Sequence, residues 1–274
     1  MDQIKVNVVL DSISPHGKRI TTFETEMPMH AWVHLLTHRQ LSRNLQSSRA
    51  LPIKTLLKRA TYTPEYWGRN KRGMSPNEEL DSLQIGFAKW TWEAGRFAAK
   101  TLAYVFDFLG LHKETANRIL TPFIMVKGLV TATEWDNFIK LRTAPDAQYD
   151  IRQVALLIEK ELKVSQPVMR SVHAPLLDDA ELYYLQRLIN EGKEHATVRY
   201  YLTASAGRCA RVSYLNHDGS RNIDEDNALG KKLWESRHLS PFEHVAISMD
   251  DVFDGSGNFF GWEQYRERGP YGKR

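Results

Sequence analysis

Between His34 and Arg49 the chain reads HLLTHRQLSRNLQSSR. His38, Arg39, Arg43 and Arg49 carry or can acquire positive charge there, and Ser42, Asn44, Ser47 and Ser48 add short hydroxyl and amide groups. Guanidinium forks match the oxygens of a phosphate, and hydroxyls and amides add neutral hydrogen bonds. The set suits a phosphorylated ligand. It equally suits a solvated basic loop, and residue types alone leave the two open.

Around this stretch the periodicities predict the elements that must position it. Residues 4–10 and 19–27 alternate as two strands of a hairpin across SPHGKR, and Pro28 closes the second. Residues 29–42 are predicted to form a helix that delivers His38 and Arg39. ALPIKTLLKRA reads as a short helix, and TPEYWGRNKRGMSPNEELD as a loop broken by Pro and Gly. Residues 79–111 form the longest helical pattern, with Leu83, Phe87, Trp90, Ala94, Phe97 and Leu102 at three- and four-residue spacing, as in a core or oligomer-interface helix. A helix over 113–122 and a strand over 123–130 follow. Thr131 with Glu134 reads as a capping box opening a helix over 131–144. Further helices are predicted over 146–163, 178–195 and 224–236, with a loop over 164–176, an unassigned stretch after 196, and a strand after Ser240-Pro241.

With 274 residues the chain can bury a large core, and we read residues 1–274 as one domain with a flexible tail over 255–274. The net charge of +4 suits an anionic ligand and is too mild to imply nucleic acid. No apolar run reaches the roughly 20 residues of a membrane span, and the start lacks the pattern of a secretory signal, so a cytoplasmic location is expected. The single cysteine, Cys209, excludes an intrachain disulfide and a multi-cysteine zinc site. His34 and His38 have the spacing of a zinc helix but lack its glutamate, so no metal is expected. No GxGxxG follows a strand, which argues against a Rossmann fold.

Order adds to residue type. Thr-His-Arg at 37–39, seven residues, Ser47, then Arg49 resembles the signature of the flavin-dependent thymidylate synthases (ThyX), usually Arg-His-Arg, seven residues, Ser, and Arg two further on. NRILTP at 117–122 resembles a second segment of that family, and EWDNFIKLRTAPDAQYDIRQVA at 134–155 a third, with Asn137, Arg142 and Gln148 in matching places. CARVSY at 209–214 and RHLSPFEH at 237–244 resemble its Ala-Arg-Val-Ser and His-x-Ser-Pro-Phe-Glu-His segments. In most of the family these last two precede the Arg-His-Arg signature. Here they follow it, so a circular permutation is expected, which a fold tolerates when its old termini lie close together.

The resemblance implies a mixed α/β fold, a curved sheet with a helical layer, assembled as a homotetramer with shared active sites. It implies a flavoenzyme that methylates dUMP to dTMP, with FAD as cofactor, methylenetetrahydrofolate as carbon donor and NADPH as reductant. Ser47, Ser48, Arg49 and Arg118 would hold the nucleotide phosphate. Arg142, with Ser47 the expected catalytic group, would stabilise negative charge on the pyrimidine. His38, Arg39, Asn137, Ser213, His238, Ser240 and Glu243 would bind FAD. Read without the family, Ser47 caps a turn, Arg118 is a surface residue, Arg142 pairs with Asp146 or Asp150, and His238 and His244 are structural. Cys209, outside any nucleophile context, reads as structural, consistent with a route that needs no thiolate.

The chain departs from the family at Thr37 and Leu45, which replace an Arg and a Glu, and at Asp146 and Asp150, which replace a His and a Glu. A tail arginine, Arg266 or Arg268, is expected to restore the charge lost at Thr37. These departures keep two alternatives open: a hydroxymethylase or methyltransferase acting on dUMP or dCMP with the same cofactors, and a non-catalytic flavin- or nucleotide-binding homologue. A structural or nucleic-acid-binding role ranks last.

Overall fold

The computed structural model describes residues 3–73, 75–76, 78–192, 196–212 and 222–271. Two long strands, β1 (Lys5–Ile13) and β2 (Arg19–Pro28), form the predicted hairpin. A single-turn helix α1 (Trp32–Leu36) leads into β3 (Ser42–Leu45), then α2 (Ile53–Arg59) and the long α3 (Ser82–Phe108). After α4 (Lys113–Ala116) and a 3-10 turn (Asn117–Phe123) comes β4 (Met125–Ala132), followed by α5 (Asp136–Arg142) and α6 (Tyr149–Val164). The remainder holds β5 (Val168–Met169), β6 (Val172–His173), α7 (Asp179–Asn190), α8 (Ala196–Arg211), α9 (Ile223–Glu235) and a 3-10 turn (Ser240–His244). It ends with β7 (Ala246–Ser248), β8 (Gly255–Ser256), β9 (Phe259–Phe260), β10 (Trp262–Gln264) and α10 (Tyr265–Arg268).

The main sheet runs β3-β4-β2-β1-β5, antiparallel except for the β1–β5 pair. Alternation along its strands sends neighbouring side chains to opposite faces. Phe23 and Val130 go to one face, where α1, α5 and α6 cover them with Trp32, Leu35, Phe138, Ile151 and Val154. Leu129 goes to the other and packs against Cys209 of α8. On this second face Thr22 and Thr131 meet two fully buried histidines: Thr22 Oγ1 lies 2.8 Å from His173 Nε2 and 2.7 Å from Thr131 Oγ1, which lies 2.8 Å from His244 Nδ1. The C-terminal third therefore covers a face of the sheet made by the N-terminal half. Its own core joins α7, α8 and α9 through Leu185, Leu202, Trp234 and Phe242. The α8–α9 contact is close enough that a Cβ on Gly207 would fall 2.1 Å from the Asp226 carbonyl oxygen, so only glycine fits there.

Several expectations are corrected. The helix predicted over 29–42 spans only Trp32–Leu36. Residues 42–45 pair with β4 instead, and the Arg43 guanidinium donates to the carbonyl oxygens of Leu36, His38 and Leu41, which holds the chain in a turn. Thr131 caps no helix: it lies in β4, α5 begins at Asp136, and Glu134 pairs with Lys18. Strand pairing with β2 claims Thr131 before a cap can form. The loop predicted over 164–176 contains two short strands, β5 and β6. Of the two readings of α3, core and oligomer interface, the core reading fails, since Phe87, Trp90, Phe97 and Leu83 are 66–86% exposed and only Ala99 and Ala103 are buried. The tail expected to be flexible packs inward, with Trp262, Phe259 and Tyr265 fully buried. The unassigned stretch after 196 is the helix α8.

Candidate active site

The short α1 sets the geometry. Its end places Thr37 and His38 opposite the last residue of α5, and Arg142 Nε donates to His38 Nε2 at 2.9 Å while Nη2 donates to Thr37 Oγ1 at 2.9 Å. Neither partner is a carboxylate. Asp150 is engaged by His30, Tyr62 and Gln148, and the Asp146 carbonyl accepts from Ser75, so the alternative pairing of Arg142 with either aspartate does not occur. Burial first, then the charges of Arg142 and Arg43, hold His38 below the usual histidine range. Its ring is thus neutral near pH 7, with Nε2 as the acceptor and the proton on Nδ1. Phe138 meets the ring edge to face at 5.1 Å.

A cleft of about 290 Å³ opens beside this contact. His38, Arg39 and Asn137 line it together with Thr37, Glu134 and Phe138. Three of the predicted flavin residues are thereby brought together, and Arg142 adjoins them through Thr37 and His38. Arg39 and Asn137 are exposed.

A second cleft, about 440 Å³, gathers Ser47, His238 and Ser240 with Arg43, Asn44 and Leu45. His238 and Ser240 are exposed, and Ser236 Oγ lies 3.1 Å from His238 Nδ1. Glu243 sits in the same 3-10 turn and pairs with Arg266; burial raises its carboxyl, against the lowering charges of Arg266 and Arg43. The turn is fixed to the sheet by Gln264, whose Nε2 donates to Ser42 Oγ at 2.9 Å and to the Glu243 carbonyl at 3.1 Å. Arg268 pairs with Glu263 at 2.6 Å. Both tail arginines are thus engaged away from Thr37, whose own hydroxyl meets Arg142.

Of the expected phosphate residues only Ser47 lines the second cleft; Ser48, Arg49 and Arg118 line neither. Arg49 pairs with Glu114 at 3.4 Å, and Arg118 Nε donates to the Glu114 carbonyl at 3.2 Å. Asn117 holds their loop by donating to the carbonyls of Ser48 and Leu51. Ser213 lies outside the described residues. Cys209 is fully buried, and burial pushes its thiol far up, as a structural cysteine requires.

Sequence reasoning missed Gln264 and the His30–Tyr62–Asp150 cluster. Gln264 carried no signal, because its partner on the sheet, Ser42, lies 222 residues away. Asp150 did carry one: it is the carboxylate at the buried start of an amphipathic helix.

A mixed α/β fold carries two small polar clefts, and Arg142 beside the first has no carboxylate partner among the described residues, a setting that suits an anionic ligand. The description "Thymidylate synthase complementing protein" belongs to the family whose profile matches residues 14–168. More than half of the chain is matched, and the chain belongs to that family, the ThyX family, whose enzymes serve thymidylate synthesis. Structures of the UMP/dUMP methylase PolB from Streptomyces cacaoi, bound with 5-Br dUMP and with 5-Br UMP, are similar to this chain at TM-scores of 0.50 and 0.48. Identity is 15% and 17%, and the likeness covers 59% of this chain and 90% and 89% of theirs. At that identity the first of the two speaks for the fold. No curated protein matches the chain.

Proposed function

We propose that the protein methylates dUMP to dTMP, with methylenetetrahydrofolate as carbon donor, NADPH as reductant and FAD as the redox carrier. The observation that carries this reading is Arg142: a cation held by two neutral acceptors, beside a cleft lined by His38, Arg39 and Asn137. Arg142 has no carboxylate partner among the described residues, and a guanidinium so placed keeps its full charge for a ligand. Thr37 and His38 fix its plane, so its remaining N–H groups are available to a pyrimidine carbonyl as carbon 5 becomes nucleophilic. The neutral His38 accepts from Arg142 without cancelling its charge.

The donor set of the first cleft fits a flavin dinucleotide: Arg39 suits a pyrophosphate and the Asn137 amide suits ring carbonyls and nitrogens. Bound there, FAD would supply hydride transfer from NADPH to the transferred carbon. Ser213, His238, Ser240 and Glu243 complete the proposed flavin set. Ser47, Ser48, Arg49 and Arg118 would take the nucleotide phosphate. Exposed pairs such as Arg49–Glu114 are worth at most about 1 kcal/mol, so a dianion can displace Glu114 at little cost.

A homotetramer with shared sites would bring the clefts of neighbouring subunits together. The apolar face of α3, with Phe87, Trp90, Phe97 and Phe108 exposed, supplies a surface for such assembly. We also read the chain order as permuted: the Ser240–His244 turn docks on β3 and β4 in space although it follows them in sequence.

Purified protein is expected to carry, or take up, a flavin band near ~450 nm, the mark of a bound redox cofactor. With methylenetetrahydrofolate and NADPH it is expected to add one methyl mass to dUMP. A colourless protein that cannot be loaded with FAD would refute the reading. Turnover of dCMP instead, or a hydroxymethyl product, would select the alternative chemistry, and flavin binding without turnover the non-catalytic one.

A further inference from the structure

Helix α1 ends where nothing in its own residues stops it. Residues 37–41, THRQL, hold neither glycine nor proline. None of them has the positive φ with which a helix commonly closes. Thr37, the C-cap, keeps helical backbone angles. The chain nevertheless reverses here and enters β3 at Ser42. Such a reversal leaves carbonyl oxygens at the helix end in need of donors.

Arg43 supplies them. Alternation along β3 sends Asn44 to the α8 face, where its Nδ2 donates to the Cys209 carbonyl at 2.8 Å. The same alternation sends Arg43, paired with Val130, to the face that carries α1 and α5. Its Nη1 donates to the His38 carbonyl at 3.2 Å and to the Leu41 carbonyl, and its Nη2 to the Leu36 carbonyl at 3.1 Å. Three carbonyls between residues 36 and 41 thus rest on one guanidinium. Its Nε–H is buried and has no partner among the described residues. An unpaired buried donor is costly, so the side chain is placed to serve the turn and not to satisfy itself in full.

The same turn carries both acceptors of Arg142, Thr37 Oγ1 and His38 Nε2, each at 2.9 Å. Arg142 takes side chains of the turn, and Arg43 takes its carbonyls. At His38 the two meet on one residue, Arg142 on the ring and Arg43 on the backbone. The bonds of Arg142 go to neutral groups, and single bonds of that kind are weak in net terms. Its direction is therefore only as fixed as the turn that receives it.

We infer that Arg43 is a positioning residue: by holding the carbonyls of Leu36, His38 and Leu41 it sets the turn on which Thr37 and His38 aim Arg142. This role rests on the part proposed for Arg142 in methylation, and it requires no contact between Arg43 and a ligand.

Arg43→Lys tests it. The charge stays, but the donors then leave from one atom and cannot span three carbonyls. Steady-state assays with dUMP are expected to show kcat lower by about tenfold or more, with KM within about threefold of the wild type. In the background of Arg142→Ala the loss should vanish: the double variant should match Arg142→Ala within about twofold, because Arg43 acts only through Arg142. A second readout needs no turnover. Burial first, then the charges of Arg142 and Arg43, hold the His38 ring below the usual histidine range, and Glu134 lines the same cleft. In an NMR titration, with the His38 signal assigned by its absence from His38→Gln, the ring should titrate nearer the usual range in Arg43→Lys. The charge at position 43 remains in that variant, so the shift reports the loosened Arg142 contact. An arginine that only stabilises the fold would lower the unfolding temperature and leave kcat and the His38 titration of the folded protein unchanged. That outcome, or losses that multiply in the double variant, would overturn the inference. Where Arg43→Lys does not fold, Arg43→Gln carries the double-variant comparison, and loss of the fold in both assigns Arg43 to stability alone and overturns it equally. Should the wild type fail to methylate dUMP, the methylation reading falls, and the His38 titration decides by itself whether Arg43 holds the contact.

Discussion

Across the sheet, Thr22 and Thr131 join His173 to His244 in a line of hydrogen bonds that also takes in Ser12, 2.9 Å from His173 Nδ1. At the surface, Thr37 and Arg142 meet His38. The residue types are nearly the same, yet burial separates their roles. In the interior each hydroxyl and ring nitrogen is used on another, apart from His244 Nε2, which has no partner among the described residues. An orphaned lone pair is easier to tolerate than an orphaned N–H, so His244 donates from Nδ1 and the hydroxyls pass the donation on to His173. That line binds the C-terminal third to the sheet and has nothing left for a ligand. The surface cluster is the reverse: it is half-open, and its cation lacks a counter-charge among the described residues. Saturation makes structure, and incompleteness makes a site.

Breaking the surface cluster should give the largest effect. Arg142→Ala is expected to lower turnover of dUMP by about a hundredfold or more while changing stability by less than about 0.5 kcal/mol. Urea unfolding alongside steady-state assays would check both, and a large stability loss would move Arg142 into the structural class. The interior should respond oppositely. Thr131→Val removes the hydroxyl shared by Thr22 and His244 and is expected to cost about 1–3 kcal/mol in urea unfolding, with activity lost only as the folded fraction falls.

Acid sharpens the same contrast. Burial holds His244 down at about 3 and His173 well below 6.5. Their folded values lie below the unfolded value, so their contribution is complete above pH 6.5 and is lost as pH falls towards the folded values. Below pH 6.5 each should take away about 1.4 kcal/mol per pH unit, and His244→Gln should flatten the slope of stability measured down to about pH 5. An unchanged slope would mean that His244 is not the buried neutral ring described. The smallest effect is expected at Arg266→Ala. Arg266 is 43% exposed where it meets Glu243, so stability should change by less than about 1 kcal/mol and flavin affinity by a few-fold.

Much of this architecture was legible in the residues. The alternation in VNVVL and RITTFETEM marked β1 and β2, and the periodicity of α3 and α6 marked their helices within a few residues. Motif order pointed to the family that the profile match identifies. What failed was local reading where a distant partner won. Thr131 looks like a helix cap in sequence, but pairing with Thr22 places it in a strand. Residues 37–41 follow an apolar helical face, but Arg43 folds back on the carbonyls of Leu36 and Leu41, and β4 takes residues 42–45.

The sequence by itself determined the hairpin β1–β2, the helices α3 and α6, the family and the stock of cations, because periodicity and motif spacing are local properties of a chain. Tertiary structure alone decided that Arg142 faces Thr37 and His38 rather than an aspartate, and that Arg49 and Arg118 both turn to Glu114. It alone brought His30 and Tyr62 to Asp150. Those outcomes depend on which groups the fold brings together, and on the burial that decides whether a meeting is satisfied or left open.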